Sequence, residues 1–496
     1  MRTGNVHFGF ISADEQLEIR IVNYLDQCPR FVTVSELSRE FNITQTKIRT
    51  ILKRLEDRIY KFNHPNLTYT LSKKKGVSFS TPEKGDLKEL SAYIIRQSPL
   101  VQLFSSIFFE TFISVARYSQ RHFLSEATVR RYLNKIREIL RNYDLTIAKS
   151  SFEIAGSENQ IRFFLFIFFW RIYRGVVWPF PTVSEQSIHG SVKTLIEKNI
   201  IKQLVPIEER RVMYYIAILR IRLRNKHFIS MENQRLEQSF HETYFTSYFS
   251  LLTKTNFSNK EEAHFSFKFF LGLDWLKPLR QQYFYESKYE SVTYKSTQTF
   301  FKYFEEDFFI IPTDKKLELE LFIFRTHTLA RMFTKFDMDE NGLFYDDILS
   351  IYYPNLKKRL ETFIRKLQNS KDALFLEMKF LIIHYAELVL VIDKQTCFEK
   401  EILLTFDSTL PKFLQINQIN RIQSYFESFF NLIIIPIDSI SNPEKIDFVL
   451  TSIALTDYSK LFPNAQILIL NRMILLNDFQ TVENALLKFL AHTPNS

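Results

Sequence analysis

Residues 33–59 contain two helical patterns separated by a short turn, and this segment constrains the fold more than any other stretch of the chain. Thr33 followed by Glu36 is typical of a capping box at the start of a helix, and Asn42 tolerates a tight turn. In the second pattern the apolar residues recur every three or four positions and therefore share one face. These apolar residues are Ile48, Ile51, Leu52, Leu55 and Ile59. The segment predicts a helix-turn-helix, with an ordinary helical hairpin as the alternative.

The opposite face of the second helix carries polar and basic side chains. A helix that enters the major groove of DNA needs such side chains, because they donate hydrogen bonds to base edges and phosphates. The residues that we predict to contact DNA from this helix are Gln45, Thr46, Arg49, Thr50 and Lys53.

A β-hairpin is predicted directly after this helix. Residues 67–72 and 77–81 alternate between apolar and polar side chains, and they flank a basic turn that contains a glycine. Residues 42–80 hold nine Lys and Arg against two acids. The turn residues Lys73, Lys74 and Lys75 would form the tip of a wing that contacts the DNA backbone or the minor groove.

A second pattern of the same kind follows. Ser125 suits the N-cap of a helix whose apolar residues again share one face. Those apolar residues are Val129, Leu133, Ile136, Leu140 and Tyr143. The candidate DNA-contacting residues of this helix are Thr128, Arg130, Arg131 and Lys135. Short strands at residues 145–148 and 152–155 would complete a second winged helix-turn-helix, and the alternative is a copy that packs against the first and contacts no DNA.

Positive charge is concentrated in the N-terminal third of the chain. Residues 1–156 carry 24 Lys and Arg against 16 Asp and Glu, whereas residues 391–496 carry 8 against 11. Phosphate contacts supply most of the non-specific affinity for nucleic acids. The charge distribution therefore predicts that the N-terminal region binds a polyanion.

Composition disfavours several other classes of protein. Only nine glycines occur, which favours a mainly helical fold, and no glycine-rich phosphate loop or catalytic motif is present. We therefore predict no enzyme and no cofactor. Cys28 and Cys397 have no CxxC partner, which disfavours a zinc site and fits a reducing cytoplasm. No signal-peptide pattern occurs, and the longest apolar run, residues 163–170, is far below the roughly twenty residues that span a bilayer, so we expect a cytoplasmic protein without membrane partners.

Residues 337–348 imitate a calcium-binding EF-hand loop. Asp337, Asp339, Asn341 and Gly342 occupy the expected positions, but the twelfth position is Ile348, where calcium needs a bidentate glutamate. We predict a polar connection between helices here and no metal site.

Residues 157–393 have a helical pattern that is rich in Phe and Tyr, with breaks that include residues 254–259. Short apolar runs at residues 401–406, 432–437, 448–451 and 467–470 then alternate with helical stretches. Such alternation is typical of an α/β domain with a parallel sheet. The sequence thus predicts a multidomain, mainly α chain that ends in a small α/β domain.

The whole chain resembles the Mga/AtxA family of Gram-positive transcription regulators. The resemblance is carried most clearly by ARYSQRHFLSEATVRRYLNKIREIL, FEIAGSENQIRFF and WRIYRGVVWPF, in that order. It implies two winged helix-turn-helix domains, two all-helical domains similar to the regulatory domains of sugar-operon antiterminators (PRDs), and a domain resembling the EIIB component of the sugar phosphotransferase system. The corresponding domain ranges are 1–82, 83–156, 157–288, 289–393 and 394–496.

The family resemblance also implies a function. It implies a regulator that binds double-stranded DNA, an activator of the global or virulence type, which forms a homodimer through its C-terminal and PRD-like domains. PRDs in related proteins are phosphorylated on histidine by the phosphocarrier protein of the phosphotransferase system. His327 and His384 occupy the matching places of the second PRD-like domain, and a packing role is the alternative for both.

The chain departs from the family pattern in two places. The first PRD-like domain has no clear histidine at the matching positions, although His189, His227, His241 and His264 lie nearby in sequence. An active EIIB domain carries a cysteine just after its first strand, whereas Cys397 precedes that strand here. The second departure implies a domain kept for association without phosphoryl transfer.

An RNA-binding antiterminator, or an interaction scaffold that shares only the PRDs and does not bind DNA, is the alternative function. RNA-binding domains commonly expose aromatic residues on a sheet, whereas the basic residues here lie on helices with wings. This difference favours binding to duplex DNA.

Overall fold

The computed structural model describes residues 9–229, 260–342, 346–392, 395–454 and 457–492. His241 and the break predicted at residues 254–259 lie outside the described residues. The chain is mostly helical and forms two compact units, of which the first comprises Met1–Thr297 and Phe324–Leu343. The second comprises Gln298–Ile323 and Phe344–Ser496. The finer division into five domains stays a prediction.

The first helix-turn-helix domain has the predicted order of helices and hairpin. Its elements are α1 (Ala13–Asp26), α2 (Val34–Phe41), α3 (Gln45–Phe62), β1 (Thr68–Ser72) and β2 (Gly76–Ser80). The next helix, α4 (Lys84–Arg96), lies in the range predicted for the second domain and contributes Leu87, Leu90 and Ile94 to the core of the first. Ser12 and Glu15 form a capping box that fixes the start of α1. The apolar faces of α1, α2 and α3 meet in one core together with Val77 and Phe79 of the hairpin.

The second helix-turn-helix domain repeats this arrangement with a smaller wing. Its elements are α5 (Pro99–Phe108), α6 (Val115–Arg121), α7 (Glu126–Arg141), β3 (Thr146–Ile147) and β4 (Ile154–Ala155). Both strands are shorter than the sequence predicts. Asp144 and Phe152 adopt positive φ angles of 53° and 60°, which interrupt the extended backbone beside the strands.

Among the remaining helices of the first unit, α8 is hydrophobic on all sides and is buried from Asn159 to Ile172. The helices are α8 (Glu158–Tyr173), α9 (Glu185–Glu197), α10 (Pro206–Arg224), α11 (Lys260–Gly272) and α12 (Leu279–Lys288). Two further helices, α13 (Val292–Asp307) and α14 (Lys316–Met332), each contribute residues to both units.

Buried ion pairs tie three of these helices together. Arg162 of α8 pairs with Glu262 of α11 and, over 2.8 Å, with Glu158. Arg222 of α10 pairs with the same Glu158 over 2.6 Å. Burial alone would raise the pKa of Glu158, but the hydrogen bond from Arg222 and the charge of Arg162 outweigh it and lower the pKa.

The second unit combines helices with a parallel sheet. The elements that follow α14 are α15 (Asp346–Tyr352), α16 (Pro354–Gln368), α17 (Met378–Ile392), β5 (Ile402–Asp407), α18 (Lys412–Phe426), β6 (Leu432–Pro436), β7 (Phe448–Thr451), α19 (Tyr458–Leu461), β8 (Gln466–Ile469) and α20 (Leu476–His492). The strand order is β6-β5-β7-β8, and all neighbours are parallel. The predicted small parallel sheet is therefore confirmed. Apolar clusters cover both of its faces, as a parallel sheet requires.

Candidate nucleic-acid interface

A tight turn joins α2 to α3 and fixes the angle at which α3 begins. Asn42 adopts the left-handed conformation with φ 52° and ψ 49°, and the backbone N–H of Ile43 donates to the carbonyl oxygen of Ser38 over 3.1 Å. The Thr44 hydroxyl oxygen then caps α3 by accepting from the N–H of Lys47. This is the predicted helix-turn-helix.

The predicted capping box of α2 is present in one half. The Thr33 hydroxyl oxygen accepts from the N–H of Glu36 over 3.2 Å, as expected. The carboxylate of Glu36 pairs instead with the guanidinium of Arg30, and this contact lowers the pKa of Glu36. Charge attraction therefore directs the Glu36 side chain towards the loop before α2.

The outer face of α3 is exposed along its first two turns. We call this surface the reading face; it consists of Gln45, Thr46, Arg49, Thr50 and Lys53. Arg49 Nη2 donates to Gln45 Oε1 over 3.2 Å, so the guanidinium is held beside an amide. Arginine and glutamine are side chains that pair with guanine and adenine edges in a major groove. The structure thus brings together all five residues that the sequence predicts for this helix.

Three other cations of α3 face the protein instead. Lys47 donates to Asp14 of α1 over 2.7 Å, and Arg54 pairs with the buried Glu18. Arg58 reaches the same Glu18 over 3.1 Å. The hydrogen bond from Lys47 lowers the pKa of Asp14, whereas burial raises that of Glu18. The basic charge of α3 is therefore divided between an inner face that binds α1 and the reading face.

The wing that follows α3 is a two-stranded hairpin with a basic tip. β1 and β2 pair in antiparallel register from Thr68 with Ser80 to Ser72 with Gly76. Lys73, Lys74 and Lys75 occupy the exposed turn, and Lys75 Nζ lies 5.7 Å from the centre of the Phe31 ring. The wing tip therefore presents three ammonium groups at the end of an antiparallel hairpin.

A third extended segment pairs with the wing beside its tip. Val32 exchanges both backbone hydrogen bonds with Val77, over 2.8 and 2.9 Å. Gly76 adopts a φ of 95°, and a Cβ at this position would lie 2.2 Å from the carbonyl oxygen of Val32. Only glycine permits this close approach of the two backbones.

The second recognition helix, α7, exposes part of its predicted set. Arg130, Arg131 and Lys135 are exposed, but Thr128 is half-buried. The N–H of Thr128 donates to the Ser125 hydroxyl oxygen, and the two hydroxyls are 2.9 Å apart. Thr128 therefore takes part in the N-terminal cap of α7, and its contact with DNA stays a prediction.

Several exposed residues near α7 escape the sequence pattern. Phe123 in the turn before α7 is 96% exposed and has a φ of 54°, which is unusual for a bulky residue. Arg117 and Arg121 of α6 and Lys149 of the second wing are also exposed. Exposed phenylalanine can contact the methyl group of thymine. One signal in the sequence could have identified Phe123. It lies between the basic residues Arg121 and His122 and the N-cap Ser125, outside the apolar spacing of either neighbouring helix.

Both histidines suggested by the family resemblance are buried. His327 is fully buried, and its Nδ1 lies 3.1 Å from the hydroxyl of Thr297. His384 is 4% exposed and its Nδ1 lies 3.0 Å from the carbonyl oxygen of Phe380. A carbonyl oxygen only accepts, so Nδ1 of His384 carries the proton in this contact. By contrast, His189 is exposed and pairs with Glu209 over 3.1 Å.

The polar connection that imitates a calcium loop is engaged in protein contacts. Asp339 accepts hydrogen bonds from the backbone and side-chain nitrogens of Asn341, and Asp337 accepts one from Tyr143. Within the described ranges, no three side chains of His, Cys, Asp or Glu converge as metal ligands would. Among the same residues, no helix is long and apolar enough to cross a bilayer.

Both N-terminal domains match known DNA-binding families. Residues 83–169 match the Mga helix-turn-helix domain, and residues 14–58 match a winged helix-turn-helix DNA-binding domain. Over 215 residues the chain is 26% identical to the anthrax toxin expression trans-acting positive regulator of Bacillus anthracis, a match covering 42% of this chain and 43% of that protein. It is 21% identical over 237 residues to the capsule synthesis positive regulator AcpA of the same organism, covering 48% of each chain. The match spans less than half the length of either relative.

Proposed function

We propose, from its place in the Mga/AtxA-like family of regulators, that this chain is a positive transcription regulator that binds duplex DNA through both N-terminal domains. The observation that carries the proposal is the reading face of α3, which lies on a helix fixed by its turn, its inner ion pairs and its wing. The wing tip adds phosphate contacts beside the groove. α7 supplies a second set of exposed cations in the same type of domain.

The helical middle of the chain is proposed to act as two PRD-like domains that respond to the phosphotransferase system. Phosphate on His327 or His384 would add about two negative charges to an apolar interior. Because both side chains are buried, transfer from a phosphocarrier protein requires local opening of the helices around them. The added charge would then keep those helices from repacking as before, and this would couple sugar uptake to promoter binding.

The C-terminal domain is proposed to associate with a second copy of the chain rather than to transfer phosphate. Cys397 lies before β5, and the carboxylate of Asp407 ends that strand and accepts a hydrogen bond from Tyr458. A fixed negative charge at the carboxyl end of a parallel strand opposes phosphate binding. The domain also exposes several apolar side chains that suit an interface. These are Ile469, Met473, Leu475 and Leu476.

The test is an electrophoretic mobility assay of the full chain with matched duplex DNA, single-stranded DNA and RNA. We expect the tightest binding to the duplex, with an affinity that falls steeply as salt rises, because many phosphates are neutralised. Preferential binding to RNA would favour the antiterminator function instead. Absence of binding to all three nucleic acids would favour the scaffold.

A further inference from the structure

A cavity of about 680 Å³ lies between the first winged-helix domain and the helices that follow the second, all within the first compact unit. α1 and α4 form one side, and α8 and α10 form the other. Much of its lining is apolar, including Leu87, Ala92, Ile95, Trp170 and Ile172. This volume falls in the range of pockets that hold metabolite-sized ligands, roughly 300–1,000 Å³.

Positive charge exceeds negative charge around this cavity. Lys88 of α4, Arg171 and Arg174 at the end of α8, and Arg211 of α10 line it. The two acids that also line it are Asp26 and Glu208. Glu208 is already engaged, because its carboxylate accepts from Arg211 over 3.0 Å and from the indole N–H of Trp275 over 2.7 Å.

Arg211 is a buried lining residue with one guanidinium N–H that is not hydrogen-bonded among the described residues. Its side chain is only 6% exposed, and its Nε–H has no acceptor among the described residues. The guanidinium lies within 6 Å of the rings of Phe166, Trp170 and Trp275, which hold it in place. A buried guanidinium N–H without an acceptor is costly, and an anion in the cavity would satisfy it.

Arg171, which also lines the cavity, has a lowered pKa. Burial and the neighbouring Arg174 lower its pKa to about 10, despite the opposing effect of Asp337 and Asp339. An anionic ligand would stabilise the charged form of this side chain.

We propose that this cavity is a binding site for a small organic anion with an apolar, ring-sized body. The anionic group pairs with the cations at the mouth and end of α8, and the apolar body packs against Trp170 and α4. Arginine suits this role because its planar guanidinium donates two parallel hydrogen bonds to a carboxylate, sulfonate or phosphate group. The same plane also stacks on aromatic rings.

The position of the cavity gives the ligand a route to the DNA-binding helix. α1 lines the cavity through Ile19 and Asn23, and the acids of the same helix hold the inner cations of α3. A ligand that bridges α1 to α8 and α10 therefore favours one position of α1. If α1 takes different positions in the DNA-bound and the DNA-free protein, ligand binding changes the affinity of the protein for DNA. This regulatory step rests on the proposed function, whereas the binding site does not.

Two fluorescent probes with the same aromatic rings test the site. They separate the contribution of the anionic group to binding from that of the apolar rings. 8-Anilinonaphthalene-1-sulfonate carries an anionic group, and N-phenyl-1-naphthylamine lacks it. With the full chain, we expect the double variant Lys88→Gln and Arg174→Gln to bind the sulfonate about tenfold more weakly and the neutral probe unchanged. The control is the double variant Lys198→Gln and Arg141→Gln, in which two exposed cations away from the cavity are neutralised. Equal sulfonate binding by the two double variants would overturn the site.

A second variant tests the location without removing charge. Asn23 is exposed at the cavity lining, so Asn23→Trp is expected to narrow the mouth without disturbing the core and to weaken both probes. Unchanged binding of both probes to this variant would place them elsewhere and contradict the proposal. Neither measurement contains DNA, so failure of the DNA-binding proposal leaves their outcome intact. If the sulfonate binds in the cavity but does not alter duplex affinity, the regulatory step is overturned and the site stands.

Discussion

Tyr69 in the wing donates its hydroxyl hydrogen to the backbone carbonyl oxygen of Leu52 in the recognition helix, over 2.8 Å. The ring is largely buried, and burial raises the pKa of the hydroxyl, so the group stays a donor at physiological pH. The contact joins the wing to the middle of α3. The two elements that would contact DNA are therefore positioned as one body.

Replacing Tyr69 with Phe should loosen this connection. The change removes one hydrogen bond, worth about 1 kcal/mol, and keeps the ring in the core. If the wing opens locally, the loss of about 1 kcal/mol raises the opening equilibrium constant roughly fivefold, since about 1.4 kcal/mol corresponds to tenfold. Amide exchange in residues 68–80 should become faster by the same factor. Hydrogen–deuterium exchange with mass spectrometry measures this, and unchanged exchange would mean that other contacts fix the wing.

Substitutions in the reading face should alter the salt dependence of DNA binding. Arg49→Ala and Lys53→Ala each remove one cation, so each should reduce the slope of log affinity against log salt by about 0.9 if it contacts a phosphate. The matched control is Lys198→Ala, an exposed lysine of the helical region. The slope is measured by titration of duplex DNA from low to moderate salt. Identical slopes and identical affinities for the parent and the double variant Arg49→Ala and Lys53→Ala would exclude α3 as the DNA-contacting helix.

Gly76→Ala should disrupt the wing beside its tip. A methyl group there meets the carbonyl oxygen of Val32 and requires a left-handed backbone. Gly85→Ala is the control, because no atom lies within 4 Å of its added Cβ, and the residue is in a helix, where alanine is favoured by up to about 1 kcal/mol. We expect thermal unfolding to shift downward for Gly76→Ala and to stay level or rise for Gly85→Ala. Equal shifts would contradict the steric argument.

The buried pair between Arg222 and Glu158 should make stability depend on pH. Because the pKa of Glu158 is lowered in the fold, its pairing stabilises the protein above the ordinary glutamate pKa of about 4.3, and this contribution is lost as pH falls through the lowered value. Arg222→Gln removes one partner and should cost about 3–5 kcal/mol at neutral pH. Its deficit should shrink towards pH 4, because the Glu158 carboxyl has lost one of its two arginine partners and takes up a proton more readily.

Calorimetry of the parent and variant between pH 7 and about pH 4 checks this prediction. Arg220→Gln is the control on the same helix, since Arg220 donates to the hydroxyls of Ser187 and Ser191. Its deficit should not depend on pH in this range. A constant deficit for Arg222→Gln as well would show that the carboxylate pairing is not the source of its stabilisation.

Association through the C-terminal domain should be sensitive to its apolar surface. Leu476 is 84% exposed at the start of α20, so Leu476→Arg should leave the fold intact and weaken a homodimer by burying a charge in the interface. Ile310→Arg is the control, because Ile310 is 83% exposed and lies outside that domain. Sedimentation velocity should show a shift towards monomer for Leu476→Arg alone. An unchanged mass would exclude this surface as the interface.

The sequence predicts the helices and strands well where their periodicity is strong. α3 and α7 bury the predicted apolar residues, and β7 spans the predicted residues, since alternation and three-to-four spacing report burial directly. The contact between Ser125 and Thr128 does not follow from the sequence pattern, because an N-cap contact and an exposed face have the same spacing. The inner pairs of Lys47, Arg54 and Arg58 depend on a helix thirty residues or more away in the chain, and no local pattern contains that information.

The acidic face of α1 resembles, in charge, the phosphate backbone that the domain is proposed to bind. It neutralises the inner cations of α3, and these pairs form in the protein without DNA. The residues of the reading face are exposed, and the side-chain hydrogen bonds that they form within the described ranges stay inside α3, so they can be exchanged without rebuilding its support. A regulator built in this way can acquire a new target sequence by a few surface substitutions while its stability stays nearly constant.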